Sequence, residues 1–155
     1  MANLDQIDRQ LLAELQSEGR ITNVELAQRV GLTAPPCLRR VRALEEDGII
    51  RGYHAELDPS KLGYTITVFA MVSLKSQAEE SLRAFETAMR DLPEVREVHM
   101  LNGEIDFILK IVSRDLQSFQ EFLTSKLTPA PNVASVKTSL TIRTSKYEPG
   151  VPLEV

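Results

Sequence analysis

The feature that most constrains this chain is a change in hydrophobic period near residue 60. Before it, apolar residues recur every three or four positions; after it, they first recur every second position. The first spacing lines one side of a helix, and the second lines one face of a strand. The chain must therefore hold two kinds of architecture within 155 residues. That length suits one ordinary domain or two small ones and leaves no room for a large two-domain enzyme.

Three short helices are expected in the first part. Leu4, Ile7, Leu11, Leu12 and Leu15 make a helical stripe that Asp5 can cap and Gly19 ends. Thr22-Asn23-Val24-Glu25 reads as a capping box opening a second helix with Val24, Ala27 and Val30 inward and Gly31 as its stop. A third helix starts after Thr33, carries Pro35 and Pro36 in its first turn, faces Leu38, Val41 and Leu44 inward, and ends at Gly48. The second and third helices meet across a turn of about three residues at Gly31-Leu32, the shape of a helix-turn-helix.

From Ile49 to Gly63 the pattern loosens into a connection, with Ile50 to Leu57 compatible with a short strand. Ile66 to Leu74 then alternates as a strand, and Ala78 to Leu92 returns to helical spacing. Val95 to Leu101 and Ile105 to Val112 read as strands around an Asn102-Gly103 turn. A second amphipathic helix from Leu116 to Leu127 and a last strand from Val133 to Thr144 complete the order β-α-β-β-α-β. The expected class is α+β: a helix-turn-helix domain over residues 1–50, a connection over 51–63, and a ferredoxin-like sandwich over 64–155 with both helices on one face of an antiparallel sheet. Phe69 and Met71 make the first strand apolar on both faces, which points to a second subunit covering the face without helices.

Charge locates a function in the first part. The chain carries a formal charge of -4, and acidic residues outnumber basic ones in its first 60 positions. Yet Gly31 to Leu44 contains no acidic residue, while Arg39, Arg40 and Arg42 crowd the third helix. A cluster of basic charge without acidic neighbours, on the element that should dock, is the footprint of a DNA reader. Thr33, Ala34 and Pro35 would sit at the start of that helix, where free backbone N–H groups and the helix dipole favour a phosphate. Asn23, opening the second helix, joins the candidate set for double-stranded DNA.

In the second part, Gly103 and Asp106 offer close backbone approach and a carboxylate. Those are the two handles needed by the carboxylate and ammonium of an amino acid. The same residues also make an ordinary Asn-Gly hairpin turn, and spacing alone leaves both readings open.

The runs Leu4 to Gln16 and Gly19 to Leu32, the segment Pro36-Cys37-Leu38-Arg39-Arg40-Val41-Arg42-Ala43-Leu44-Glu45, and Gly48-Ile49-Ile50-Arg51-Gly52-Tyr53 together resemble the start of an Lrp/AsnC regulator. These are the leucine-responsive, or feast/famine, transcription factors, and the resemblance runs to about Thr144. Ala34-Pro35 departs from the order of many members, which place proline first. The resemblance implies dimers that assemble further, often into octamers, and a small amino acid as effector. It also implies an effector pocket at the Gly-x-x-Asp loop, between dimers. The matching positions here are His99, Asn102, Gly103, Asp106 and Leu116, with Ser139, Leu140 and Thr141 from the last strand.

Other classes find less support. There is no Gly-x-x-x-x-Gly-Lys loop, no Gly-x-Ser-x-Gly elbow and no His-Glu-x-x-His, so an enzyme has no nucleophile or base to name. One cysteine, expected half-buried at position 37, and two histidines argue against a zinc site, and no cofactor is expected. No apolar run approaches the roughly 20 residues that span a bilayer, and Met1 to Asp5 lacks a signal-peptide start, so a cytoplasmic protein without membrane partners is expected. The rival reading is a ligand-binding or assembly module without DNA binding; Arg39, Arg40 and Arg42 speak against it.

Overall fold

Each of the first two helices begins where the sequence supplies acceptors for the N–H groups that a helix start leaves unpaired. In the computed structural model, which describes residues 4–154, helix α1 spans Gln6–Ser17. Asp5 accepts from the Asp8 N–H at 2.8 Å, and Asp8 reaches back to the Asp5 N–H. Helix α2, Asn23–Arg29, has the expected capping box between Thr22 and Glu25. Helix α3, Ala34–Glu46, starts at Thr33 as expected, but the Thr33 hydroxyl makes no capping hydrogen bond. Gly31, at a left-handed φ of 72°, makes the turn between α2 and α3.

The three helices close on Leu11, Leu26, Ala27, Cys37, Val41 and Leu44. Here the expected inward face of α3 shifts by one residue. Leu38 is 38% exposed, whereas Cys37 is fully buried rather than half-buried. Spacing from 37 to 41 to 44 keeps one side of the helix, and the small thiol fits where the helices approach. Burial raises the pKa of the Cys37 thiol.

The strand expected within Ile50 to Leu57 does not form among the described residues. Arg51–Leu57 is an exposed stretch without regular structure, because a strand needs a neighbour to take its backbone hydrogen bonds. A short 3₁₀ turn, Ser60–Leu62, leads into the sheet.

The second part follows the expected order: β1 (Ile66–Leu74), α4 (Glu79–Arg90), β2 (Val95–Met100), β3 (Phe107–Ser113), α5 (Leu116–Phe122) and β4 (Val133–Leu140). The chain extends α5 through a π-helical segment, Leu123–Leu127. The sheet runs β2-β3-β1-β4, all neighbours antiparallel. Alternation divides its faces. Val68, Ala70 and Val72 stand opposite Ile111, Leu109 and Phe107 and are buried with Phe85, Met89, Phe119, Phe122 and Leu127. The Phe85 and Phe107 rings lie 4.8 Å apart. On the other face, Phe69 pairs with Lys110 and Ser139, and Met71 with Ile108 and Lys137.

The loop between β2 and β3 is longer than expected. The strands end at Met100 and restart at Phe107, so Leu101–Asp106 is a six-residue connection rather than a two-residue Asn-Gly turn. Its ends are tied by the Leu101 N–H donating to Asp106 O at 2.8 Å. The last strand stops at Leu140, four residues short of Thr144.

The described residues divide into two compact units. One draws on Met1–Glu56 and Lys146–Val155, the other is Leu57–Ser145. Residues from Lys146 on therefore group with the helices, although the expected second domain ran to residue 155. The segment Met1 to Asp5, on which the leader reading rests, lies partly outside the described residues. No helix among the described residues is long and apolar enough to cross a membrane.

Candidate functional site

The three arginines of α3 do not share one fate. Successive residues turn by about 100° around a helix. Arg40 therefore points away from Arg39 and Arg42 and toward α1. There it donates to Asp8 at 2.7 Å and Asp5 at 2.8 Å. These bonds hold the Arg40 guanidinium above its usual pKa, the Asp8 bond foremost, and the Asp8 N–H and then Arg40 lower the pKa of Asp5. Arg40 was expected as an exposed DNA contact; it is half-buried and joins α3 to α1. Arg39 and Arg42 are exposed, three residues apart on one side of α3.

Asn23 also departs from expectation. It is half-buried, and its side-chain N–H donates to Ala34 O at 2.8 Å, tying the start of α2 to the first turn of α3. Its Oδ1 is buried without a hydrogen-bond partner among the described residues. Thr33 and Pro35 are exposed beside it, and Ala34 is half-buried. Arg29, in the last turn of α2, donates to Glu14 and Glu18 at 2.8 Å each, which braces α2 against the end of α1.

In the sheet unit the expected ligand residues fall into two groups. Asn102, Gly103 and Asp106 gather where β1 ends. The Asp106 N–H donates to Val72 O at 3.0 Å, and the Leu74 N–H donates to Asp106 Oδ2 at 2.6 Å. Gln77 Nε2 lies 3.5 Å from the same oxygen. The other carboxylate oxygen, Oδ1, has no hydrogen bond among the described residues. Asn102 and Gly103 are exposed, and a Cβ at Gly103 would meet nothing within 4 Å. His99 stands nearby on the helix-free face, its Nε2 3.1 Å from Glu97, which also accepts from Lys110 at 3.0 Å. These two partners, His99 first, lower the pKa of Glu97.

The second group lies toward the start of β1. Leu140 stands opposite Val68, Ser139 opposite Phe69, and the Thr141 N–H donates to Thr67 O at 2.8 Å. The Thr141 hydroxyl is buried without a partner among the described residues. Leu116, at the start of α5, follows the end of β3 that pairs with Ile66, and it is 62% exposed. Five residues of strand separate Thr67 from Val72, roughly 17 Å. A single chain does not bring the two groups together.

Sequence reasoning missed Gln77 and the Leu74 N–H as partners of Asp106. It also missed Asp5 and Asp8 as partners of Arg40, although the Asp-x-x-Asp spacing at the helix start was visible. Among the described residues no group of three or more His, Cys, Asp or Glu could hold a metal ion.

Comparison with known proteins places these two regions. Residues 67–151 match the family model described as the Lrp/AsnC ligand binding domain, and residues 4–51 match one described as winged helix-turn-helix DNA-binding. A leucine-responsive regulatory protein of Rhizobium meliloti is 55% identical over 92% of each chain. The Bkd operon transcriptional regulator of Pseudomonas aeruginosa is 40% identical, covering 99% of this chain and 100% of its own. Among solved structures, a transcriptional regulator of Neisseria meningitidis in complex with L-Met superposes with a TM-score of 0.92 at 35% identity over 97% of each chain.

Proposed function

We propose the following for this chain, which belongs to the Lrp/AsnC family of transcriptional regulators and joins a helix-turn-helix DNA-binding unit to an amino-acid-binding domain. It is a regulator rather than an enzyme and acts in the cytoplasm without a cofactor. Arg39 and Arg42 carry its contact with double-stranded DNA. The observation behind this is their shared exposed side of α3 while Arg40 is turned into an ion pair. Thr33 and Pro35 flank the Ala34 N–H at the start of α3; Pro35 and Pro36 have no N–H, so a phosphate there is favoured by that one donor and by the helix dipole. Asn23 and Arg40 position that helix rather than touch DNA.

The effector is a small amino acid. Asp106 Oδ1 is available to its ammonium, and the exposed backbone around Gly103 suits its carboxylate. The set around Leu116, Ser139, Leu140 and Thr141 lies too far away in the same chain, so a second copy supplies it. That reading agrees with the apolar side chains on the helix-free face of the sheet, where Phe69 is 37% exposed. The working form is then a dimer that assembles further, up to an octamer.

Two titrations test this. Thermal-shift screening against the twenty amino acids should find a hit, since a ligand at 100 times its dissociation constant stabilises by about 2.7 kcal/mol. Isothermal titration with that hit should then show Asp106→Ala weakened by about 1.5–3 kcal/mol, the usual worth of a hydrogen bond to a charged group. Equal affinity of mutant and wild type would remove Asp106 from the site. The Asp106→Asn variant isolates the charge, since it keeps an acceptor for the Leu74 N–H.

A further inference from the structure

Gln16 of α1 ties down the C-terminal residues of the helical unit. Gln16 Nε2 donates to Val151 O at 2.8 Å, and the Val151 N–H donates to Gln16 Oε1 at 3.0 Å. A side-chain carboxamide has the donor and acceptor of a peptide group. The pair is thus a two-bond amide clamp that grips backbone and is indifferent to the Val151 side chain. Gly150 makes the approach possible. Its φ of 91° is one that L side chains rarely adopt, and a Cβ there would collide with the Gln16 carboxamide. Leu153, two residues further on, is half-buried. Ahead of the clamp the segment borders open space. Glu148 and Pro149 line an open cavity of about 870 Å³ together with Gln16, Tyr53 and His54.

We propose that Gln16 is a docking site on the helix-turn-helix unit whose occupant is the chain's own C-terminal segment, Lys146 to Leu153, held by a clamp that can open. The chain passes from the helical unit to the sheet unit after Glu56 and returns after Ser145. Docked, the segment gives the helical unit a second tether; released, it leaves one. A second tether narrows the space that the DNA-binding unit explores, and so raises the effective concentration of the docked recognition helix at its site. The clamp is solvent-exposed, as expected of a contact that opens at low cost. The role of docking in DNA binding rests on the reading above; the docking itself does not.

Amide hydrogen exchange on the full chain tests docking without DNA. Exchange at Val151 in the wild type should be slowed, and Gln16→Ala should release it by about fivefold per hydrogen bond removed, roughly 25-fold in all. Gly150→Ala should do the same from the other side of the clamp, so the conclusion does not depend on one variant folding. Operator binding, read on a duplex carrying the protein's own promoter region, should weaken for Gln16→Ala and for a chain ending at Ser145. The loss cannot exceed that same roughly 25-fold, because a linked equilibrium shifts by no more than the docking contributes. The two changes combined should weaken binding no further than truncation alone. Unprotected exchange at Val151 in the wild type would overturn the docking site. Unchanged operator affinity in both variants, or additive losses in the combination, would overturn the tether.

Discussion

Among the described residues, the helical unit buries six apolar side chains and the sheet unit twelve. The smaller core is compensated at its helix ends: two capping boxes, the Arg40 ion pairs to Asp5 and Asp8, and the Arg29 ion pairs to Glu14 and Glu18. The sheet unit relies on area, with Val68, Ala70, Val72, Phe107, Leu109 and Ile111 sealed under α4 and α5. Apolar burial has no direction, whereas capping and ion pairing do. A unit that must present two arginines at a set angle is therefore better held by the directional kind. A unit that must support a loop and a broad face can be held by the other.

The largest effect should come from breaking the larger core. Phe85→Ala removes a fully buried ring packed against Phe107 and should cost about 3–5 kcal/mol. In calorimetry the loss should appear in the transition of the sheet unit, with that of the helical unit displaced less. Equal displacement of both would mean that the two units unfold as one, and the contrast between their cores would fail.

Next in size is the division among the arginines. Arg39→Ala with Arg42→Ala should weaken operator binding by about 1–3 kcal/mol for each arginine that reads a base edge, or flatten the salt dependence where the arginine meets a phosphate. The melting temperature should hold. Arg40→Ala should do the reverse, lowering the melting temperature of the helical unit at low salt and much less at about 1 M salt, where surface ion pairs are screened. Weaker DNA binding with unchanged stability in Arg40→Ala would return that residue to the DNA-binding set.

A smaller effect separates the units in acid. Hydrogen bonds from the Asp8 N–H to Asp5, and from the Thr22 hydroxyl and N–H to Glu25, lower both carboxyl pKa values below their ordinary 3.8 and 4.5. A carboxylate with a lowered folded pKa stabilises above its unfolded pKa, and that contribution fades as pH falls through the folded value. Stability of the helical unit should thus decline below about pH 4.5, and Asp5→Asn with Glu25→Gln should flatten the decline. The sheet unit, with Glu97 and Asp115 similarly lowered, should keep its own acid limb in that double mutant. Melting curves between about pH 2 and 6 read both.

The smallest effect lies at the alkaline end. The Tyr53 hydroxyl donates to Glu45 at 2.8 Å, and the partial desolvation of the phenol together with that carboxylate pushes its pKa up to about 12. A raised folded pKa means that the contribution is complete below the unfolded value near 10 and lost as pH rises toward 12. An ultraviolet absorbance titration should show a late-titrating phenol, and Tyr53→Phe should remove it. No late component in the wild type would show that the Tyr53–Glu45 bond is open in solution.

Periodicity made the fold legible, since helix and strand spacing are local properties of the chain. What it could not resolve were ties between residues one position apart. Leu38-Val41-Leu44 and Cys37-Val41-Leu44 both suit a helix, and only packing selects the second. Arg39, Arg40 and Arg42 look alike in sequence until Asp5 and Asp8, more than 30 positions away, claim one of them. The β2–β3 connection was hidden because Leu101 extends the apolar end of β2 and Ile105 continues the alternation of Phe107, Leu109 and Ile111. The Leu101–Asp106 closure and the Leu74 N–H at the Asp106 carboxylate set its actual length. The ligand residues were named individually, but their separation to opposite ends of β1 depends on strand register, which no local pattern encodes.

The burial of Cys37 has a practical consequence. It is the chain's one thiol; it is fully buried, and its raised pKa keeps it protonated at neutral pH. Because the thiolate is the reactive form, alkylating and oxidising reagents should pass it by while the helices stay closed. A single cysteine placed on an exposed position, such as Gln28 or Arg90, would then be the sole target of a maleimide dye. A fluorophore could be attached to either unit in the natural sequence background, with no need to remove a native residue first.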